Sequence, residues 1–198
     1  MLAKIPLLGW GMVAAFFYIA AVAGSGPLPV HLLYDGLAPL PPYRWVHPPS
    51  DRAGDNQRPA PRTGMIPLDA PGSRAGEVDT DDDQALVTFP AGAIAVRAGE
   101  TSVRIVITPL DPATVAPVPA GRRFEGNAYR VEATYVASAT PAVLTRPVTV
   151  VLRYAVHGTA VLQSDGGGWK SLPVTRFDGS QQLLVTPDTL GTFVPAGS

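Results

Sequence analysis

Apolar residues recur at every second position through the C-terminal half of this 198-residue chain. The clearest runs cover residues 103–108, 129–136 and 148–154. Most of the recurring side chains are β-branched or aromatic, as in strands that bury one face. No run in this half keeps the 3.6-residue period of an amphipathic helix. The alternation therefore restricts the C-terminal half to an all-β fold.

Shorter apolar runs and turn sequences add further strands to this half. They predict strands at residues 85–89, 93–97, 160–163, 169–172, 182–186 and 192–194. The sequences Asp-Gly-Gly-Gly at 165–168 and Asp-Gly at 178–179 are typical of hairpin turns. About eight short strands joined by such turns predict a single antiparallel β-sandwich over residues 85–198. The predicted inward-facing residues are Val103, Ile105, Ile107, Tyr129, Val131, Tyr135, Val150, Leu152, Trp169, Leu183, Val185 and Phe193.

A run of 19 residues without any charge, residues 5–23, follows Lys4 near the N-terminus. As a helix it would be about 28 Å long, close to the thickness of the hydrocarbon core of a bilayer. One interpretation is a single-pass membrane anchor over residues 1–24, which the length and bulk of the run favour. The other is a secretory signal that is cleaved after Ala23. Both place the remaining chain outside the cytoplasm, held in the cell membrane by the anchor or secreted after cleavage.

Proline is concentrated between the apolar run and the predicted strands. Eleven of the 22 prolines lie in residues 24–72. Proline fixes φ, lacks an N–H and disfavours helix in the residue before it, so this composition predicts extended backbone. We therefore expect residues 25–84 to form a Pro-rich stalk. Residues 50–64 and 72–84 are expected to be flexible because they are polar.

The predicted stalk contains one aromatic motif, Tyr43-Arg44-Trp45, between two pairs of prolines. A Pro-rich extended segment with aromatic residues is suited to bind in the groove of a partner. The same side chains are also suited to fold back onto the sheets as a strap, because large aromatic side chains are usually covered. We favour the strap and keep partner binding as the alternative.

Composition and motif content argue against several chemistries. The chain has no cysteine, and its net charge of −1 includes no basic block, which argues against disulfides, thiolate metal sites and nucleic-acid binding. The three histidines, His31, His47 and His157, lie far apart and form no zinc motif. Neither a G-x-S-x-G motif nor a phosphate loop occurs. We therefore predict no catalytic residue, no cofactor and no metal ligand.

The acidic run at residues 79–83 is the best candidate for binding an ion. Its carboxylates suit Ca²⁺, but the run lacks the glycine and the final acid of an EF-hand loop. Such a run is more often a solvated segment that keeps the edge of a sheet from pairing. We favour the solvated segment, and a calcium-stabilised adhesion domain is an alternative.

The β-rich half resembles a known family in several short sequences. Phe-Pro-Ala-Gly-Ala-Ile at residues 89–94, followed by Ser-Val-Arg-Ile at 102–105, is similar to the opening of the ZU-type β-sandwich domains of ankyrins and netrin receptors. Residues 147–150, Trp169 and residues 190–194 extend the resemblance over residues 85–195. The same signature is found in exported bacterial proteins without a known activity. The resemblance implies a β-sandwich that serves as an adhesion or scaffold module and brings no catalytic residues.

Together these features predict an exported chain in three parts, with boundaries near residues 24 and 84. Its predicted function is that of a non-catalytic binding or structural module at the cell envelope. The N-terminal helix contacts the membrane, and the partner is a protein or a glycan. The alternative is an enzyme, a hydrolase of envelope glycans or esters, which needs two carboxylates or a Ser–His pair that converge in a pocket.

Overall fold

The computed structural model describes residues 32, 33 and 39–198. The predicted anchor or signal, residues 1–24, lies outside these residues. Among the residues described, no helix is long and apolar enough to cross a membrane. Three short 3-10 turns occur there, at Ser50–Arg52, Pro112–Thr114 and Asp178–Ser180. The strands are β1 (Arg62–Asp69), β2 (Gly72–Ser73), β3 (Gly76–Asp79), β4 (Ala85–Phe89), β5 (Ser102–Leu110), β6 (Arg123–Phe124), β7 (Ala128–Tyr135), β8 (Thr149–Arg153), β9 (Ala160–Ser164), β10 (Lys170–Leu172), β11 (Thr175–Phe177), β12 (Gln182–Val185) and β13 (Thr192–Gly197).

These strands form two antiparallel sheets. The first sheet has eight strands in the order β10-β9-β13-β7-β5-β1-β2, with β6 paired to the end of β13. The second has five strands in the order β11-β12-β8-β4-β3. Strands β9 and β10 form a hairpin around the Asp-Gly-Gly-Gly turn, and β11 and β12 form one around Asp-Gly. The predicted all-β, antiparallel fold class is confirmed.

The main hydrophobic core draws its residues from both sheets. In β5 and β7 the odd-numbered residues face this core, as the alternation predicts, and Ile105, Ile107 and Tyr129 are fully buried. Phe89 and Leu152 reach the same core from the second sheet. Burying a side chain of this size contributes roughly 1.5–3 kcal/mol. With no cysteine to cross-link the chain, this core is the main source of stability.

Strand β8 departs from the predicted pattern because both of its faces are covered. Val150 and Leu152 belong to the main core, as predicted. Val151 and Arg153 were expected on a solvated face, but they are only 0% and 4% exposed. The guanidinium of Arg153 donates to the main-chain oxygen of Pro41. Part of the Pro-rich segment therefore lies over this face of the second sheet.

The strand-bearing region begins at Arg62, ahead of the predicted start at residue 85. Strand β1 pairs with β5 at six positions, and β3 pairs with β4. Residues 62–64 pair with β5, residues 76–79 pair with β4, and Val78 is buried. The expectation of flexible chain at residues 50–64 and 72–84 is therefore wrong for these strands. Pro67 is tolerated because β1 has only the two-residue β2 on its other side.

The predicted strand at residues 93–97 is not formed as a regular strand. Ile94 makes a single bridge with Leu144. Its neighbour Ala95 donates to Val143, and Thr145 donates to Ala93, so these hydrogen bonds go to a loop. The turn from Arg97 to Glu100 then ends the extended stretch.

The prediction that Trp169 faces the opposite sheet is wrong. Strand β10 begins only at Lys170, and Trp169 is half-buried on the outer face of the first sheet. Its ring lies 5.6 Å from that of Phe124, and its indole N–H donates to the carbonyl of Ala116 at 3.1 Å. These side chains cover a second, smaller apolar cluster. Its buried members are Ala128, Leu162, Val194 and Ala196.

Candidate functional site

The aromatic motif lies against the β fold through Tyr43. Its hydroxyl accepts a hydrogen bond of 2.9 Å from the backbone N–H of Asn127, which directly precedes β7. The Tyr43 ring lies 4.8 Å from the ring of Trp45 at an interplanar angle of 56°. A Cβ atom on Gly126 would come within 2.4 Å of the Tyr43 hydroxyl oxygen. This close fit fixes the path of residues 41–46, which we call the strap.

The side chain of Asn127 binds the main chain of the strap on both sides of Trp45. Its Nδ2 donates to the carbonyl oxygen of Arg44 at 2.7 Å, and its Oδ1 accepts from the N–H of Val46 at 2.9 Å. Asn127 is only 1% exposed. An amide side chain used in this way supplies the donor and the acceptor that a neighbouring strand would offer. At this point the strap is therefore recognised through its backbone.

A second amide, that of Asn56, binds the main chain of Trp45, the residue between Arg44 and Val46. The N–H of Trp45 donates to Asn56 Oδ1 at 2.8 Å, and Asn56 Nδ2 donates back to the carbonyl oxygen of Trp45 at 2.9 Å. The two amides together satisfy four consecutive main-chain groups of the strap, from the Arg44 carbonyl to the Val46 N–H. Extended chain that has no neighbouring strand is thereby held in one conformation.

A row of three buried polar residues lies beneath the strap on the second sheet. Arg153 of β8 pairs with Gln182 of β12, and its N–H donates to the carbonyl of Gln84, which directly precedes β4. Gln84, Arg153 and Gln182 are 0%, 4% and 0% exposed. We call these three residues the polar row. Because they occupy one register line, their side chains share the outer face of the sheet.

Each member of the polar row binds a main-chain group of the Pro-rich segment. Gln84 Nε2 donates to the carbonyl of Arg44 at 3.2 Å, and Arg153 Nη2 donates to the carbonyl of Pro41. Gln182 Oε1 accepts from the N–H of Leu33 at 2.9 Å. These contacts again involve backbone atoms of the segment. Side-chain hydrogen bonds from the row thus hold this segment, whereas backbone pairing between strands holds each of the two sheets together.

The strap leaves part of the hydrogen-bonding capacity beneath it unused. In the part of the chain that the structure describes, four buried side-chain atoms have no hydrogen-bond partner: Arg153 Nε and Nη1, Asp82 Oδ1 and Gln84 Oε1. The other oxygen of Asp82 accepts from Gln84 at 2.7 Å. A buried donor or acceptor without a partner costs about 1–3 kcal/mol. The site is therefore occupied by the strap but not saturated by it.

Burial changes the acid–base behaviour of the groups around the strap. It raises the pKa of Tyr43 from 10.0 to about 12, although the hydrogen bond from Asn127 acts in the opposite direction. Burial also raises the pKa of Tyr129, and the nearby Tyr43 adds to that effect. Burial lowers the pKa of Arg153, whose guanidinium still carries its charge at neutral pH. Both phenols stay protonated at neutral pH, so the group offers fixed donors and acceptors and no base.

The acidic run at residues 79–83 forms the turn between β3 and β4. The hydroxyl of Thr80 accepts from the N–H groups of Gln84 at 3.2 Å and Ala85 at 3.0 Å. Asp81 pairs with Arg62 at 2.7 Å, which ties the turn to β1. Within the described residues, no group of three His, Cys, Asp or Glu side chains is arranged to hold a metal ion.

The outer face of the first sheet carries an open groove of about 900 Å³ beside β7. Arg130 and Glu132 lie along it, with Asp188 at its side. A smaller hollow of about 290 Å³ adjoins it at the β9–β10 hairpin, and both are lined by Asp165. These charged side chains are exposed. The groove is therefore a solvated surface, in contrast to the buried polar row.

The structure adds binding residues that the sequence did not reveal. Of the predicted motif, Tyr43 and the backbone of Arg44 and Trp45 make the contacts of a strap. The residues that receive them, Asn127 and the polar row, were not predicted. One of these residues is recognisable in the sequence, because Arg153 is a charged residue at an outward-facing position of the otherwise apolar β8. Nothing in the sequence indicated that this outward face is covered.

Compared with protein-family models the chain matches none, and a comparison with curated proteins finds no similar sequence. Function must therefore be argued from the residues of the site, since a fold class by itself does not imply an activity.

Proposed function

We propose that this chain is an exported, non-catalytic module of the cell envelope. Residues 1–24 anchor or export it, and the all-β part binds a protein or glycan partner outside the cytoplasmic membrane. The observation that carries this proposal is the order of three segments. An uncharged run of 19 residues is followed by a Pro-rich segment and then by an all-β part onto which the strap is fastened.

In this proposal the two sheets pack face to face as a β-sandwich of the ZU type. Support comes from the main core, to which both sheets contribute. Phe89 and Ile94, which lie in the sequence that resembles the ZU-type opening, are 0% exposed within that core. A sandwich suits a display role because its end loops are available to a partner.

The strap gives such a module a defined point of attachment. Asn127 and Asn56 hold residues 44–46 through their main chain. A pull from the N-terminal side would therefore reach the β fold at Leu33 and at the strap before it reaches Arg62, where β1 begins. The Pro-rich segment then acts as a spacer only before Leu33.

Export can be tested by producing the full chain in a bacterial host and measuring its protection from added protease in spheroplasts. N-terminal sequencing of the accessible protein separates an anchor from a cleaved signal. We expect the wild-type chain to be digested. The double variant Phe16→Arg/Phe17→Arg should be protected, because two charges in the run prevent membrane insertion.

The matched control places the same two charges on the exposed surface, in Val143→Arg/Val156→Arg, where the side chains are 60% and 55% exposed. This control should be digested like the wild type. A mature protein that begins at Gly24 in the soluble fraction would support export and contradict the anchor. Protection of the wild-type chain would contradict export altogether. Turnover of envelope glycans or esters by the purified chain would contradict the non-catalytic role.

A further inference from the structure

We infer that the polar row and Asn127 form a binding site for an extended main chain that accepts the strap of a second copy of this protein as well as its own. The strap is then an exchangeable ligand, and two copies can join by trading straps. This inference does not depend on where in the cell the chain resides.

The site recognises the main chain of the strap. Asn127 binds the Arg44 carbonyl and the Val46 N–H, Gln84 binds the same carbonyl, and Arg153 binds the carbonyl of Pro41. None of these contacts requires covalent continuity between strap and sheet. The side-chain contribution comes from Tyr43, whose hydroxyl receives the Asn127 N–H. A strap from another copy presents the same atoms in the same order.

The strap can also move as a preformed unit. Trp45 and Asn56 bind each other through two hydrogen bonds across a separation of 11 residues. Both lie on the N-terminal side of β1, so their pairing survives if the strap leaves its own sheets. Only residues 57–61 then have to change direction, and all of them except Pro59 are exposed. Exchange of a terminal element through such a short connection is a low-cost route to a dimer.

The strap leaves several hydrogen-bonding groups of its site without a partner. Arg153 Nε and Nη1, Asp82 Oδ1 and Gln84 Oε1 are buried beneath it without partners among the described residues. These unpaired groups offset part of the free energy that the contacts supply. The strap is retained partly because it is tethered, at an effective concentration in the millimolar range. Straps of neighbouring copies can therefore compete for the site when their local concentration reaches this effective concentration.

The experiment measures binding of a fluorescently labelled synthetic peptide, residues 39–56 of this chain, to the full-length protein in detergent micelles. In the variant Tyr43→Ala/Trp45→Ala the tethered strap is weakened and the site is intact. We expect this variant to bind the peptide at least about tenfold more tightly than the wild type, because the competing tethered strap is lost.

A third substitution tests whether the peptide occupies the site itself. Gly126→Ala added to the double variant places a Cβ atom where the Tyr43 hydroxyl of the peptide must lie, and should weaken peptide binding at least about tenfold. The matched control adds Gly54→Ala instead, at a glycine with no atom within 4 Å of the added Cβ, and should leave binding unchanged.

Exchange between whole chains is tested by mixing. The single variant Gly126→Ala has an intact strap and a narrowed site. The variant Tyr43→Ala/Trp45→Ala has a weakened strap and an intact site. When the two variants are mixed, native mass spectrometry should detect a dimer that contains one chain of each. The fraction of dimer in the mixture should be at least tenfold higher than in a solution of either variant alone. If the double variant loses its β-sheet circular dichroism, Tyr43→Phe replaces it, since it removes only the hydroxyl that accepts from Asn127.

The inference is overturned if the peptide binds the strap-weakened variant no more tightly than the wild type. It is also overturned if no mixed dimer forms, or if Gly126→Ala and Gly54→Ala affect peptide binding equally. A dimer that forms equally in all mixtures would arise from the N-terminal segment and would count against strap exchange.

Discussion

Two aromatic pairs cover parts of the β fold, Phe124 with Trp169 and Tyr43 with Trp45, but the two covers are held in opposite ways. On the first sheet, Phe124 and Trp169 lie over a small apolar cluster, and one hydrogen bond from the indole fixes them. Tyr43 and Trp45 belong to a strap whose backbone is bound by Asn127, next to β7 of the first sheet, and by Arg153 in β8 of the second. One cover is held by burial and the other by hydrogen bonds.

The difference follows from where each cover lies in the chain. Phe124 and Trp169 lie in or beside paired strands, β6 and β10, so their backbone is already held. The strap is part of the Pro-rich segment and does not pair with any strand of the two sheets. Its main-chain donors and acceptors must be satisfied by side chains. Covering a sheet with unpaired chain therefore requires buried amides, whereas covering it with paired chain requires only apolar contact.

The largest expected effect that separates the two covers comes from Asn127→Ala. The substitution removes the partner of the Val46 N–H and one of the two donors to the Arg44 carbonyl, of which only Gln84 remains. It should lower the free energy of unfolding by about 3 kcal/mol. Urea denaturation followed by circular dichroism measures it. The matched variant Asn56→Ala removes a half-buried amide with two bonds of its own and should cost about 1 kcal/mol.

Equal losses for the two asparagine variants would contradict the idea that the buried amide carries the strap. A loss below about 0.5 kcal/mol for Asn127→Ala would mean that the strap is held by its aromatic side chains instead. The two covers would then be of the same kind.

Trp169→Ala tests the cover formed by Phe124 and Trp169, and its expected effect is smaller. Truncating a fully buried tryptophan costs about 3–5 kcal/mol, but Trp169 is half-buried on an outer face, so we expect about 2 kcal/mol. Trp169→Phe keeps most of the apolar contact and loses only the bond to Ala116, and should cost under about 1 kcal/mol. Thermal denaturation of both variants measures the difference.

If Trp169→Phe cost as much as Trp169→Ala, the indole hydrogen bond would carry this cover. A loss of about 4 kcal/mol or more for Trp169→Ala would place the ring in a core as important as the central one. Either outcome would remove the contrast with the strap.

The alternation of apolar residues correctly predicted the strands in which every second residue faces the core. In β5 and β7 the residues predicted to face inward are buried, including Ile105, Ile107 and Tyr129. It failed in β1, because Pro67 within Ile66-Pro67-Leu68 resembled the polyproline segment before it. A proline beside a short edge strand carries no penalty, and a single sequence does not show which strand lies at an edge.

The strap could be proposed from the sequence, but its binding site could not. Tyr43 and Trp45 are large apolar groups in a polar, Pro-rich segment, and that contrast alone indicates that they are covered. Asn127 and Gln84 are unremarkable as polar residues beside strands, and Arg153 alone stands out as a charge within the apolar β8. They become a site only through the antiparallel register, which sets Gln84 opposite Arg153. Trp169 was misplaced for a related reason, because an aromatic residue after a turn does not show which face it covers.

The smallest expected effect concerns the ionisation of Tyr43, which no group of the Phe124–Trp169 cover can reproduce. Its pKa is about 12 in the folded chain, against 10.0 for an unburied phenol. Above pH 10 the unfolded chain releases this proton while the folded chain keeps it, so stability is complete below pH 10 and falls as the pH rises toward 12. At pH 11 the loss should be roughly 1 kcal/mol.

Ultraviolet absorbance of tyrosinate, compared between the wild type and Tyr43→Phe, measures this titration directly, and urea denaturation at pH 9 and pH 11 measures its effect on stability. The difference in stability between the two pH values should be smaller in Tyr43→Phe by that amount, because the group that ionises is gone. Burial also raises the pKa of Tyr129, so only the difference between the two proteins is informative. An ordinary phenol titration near pH 10 at Tyr43 would show that solvent reaches its hydroxyl, and that the strap is a loosely applied cover held more weakly than the Phe124–Trp169 pair.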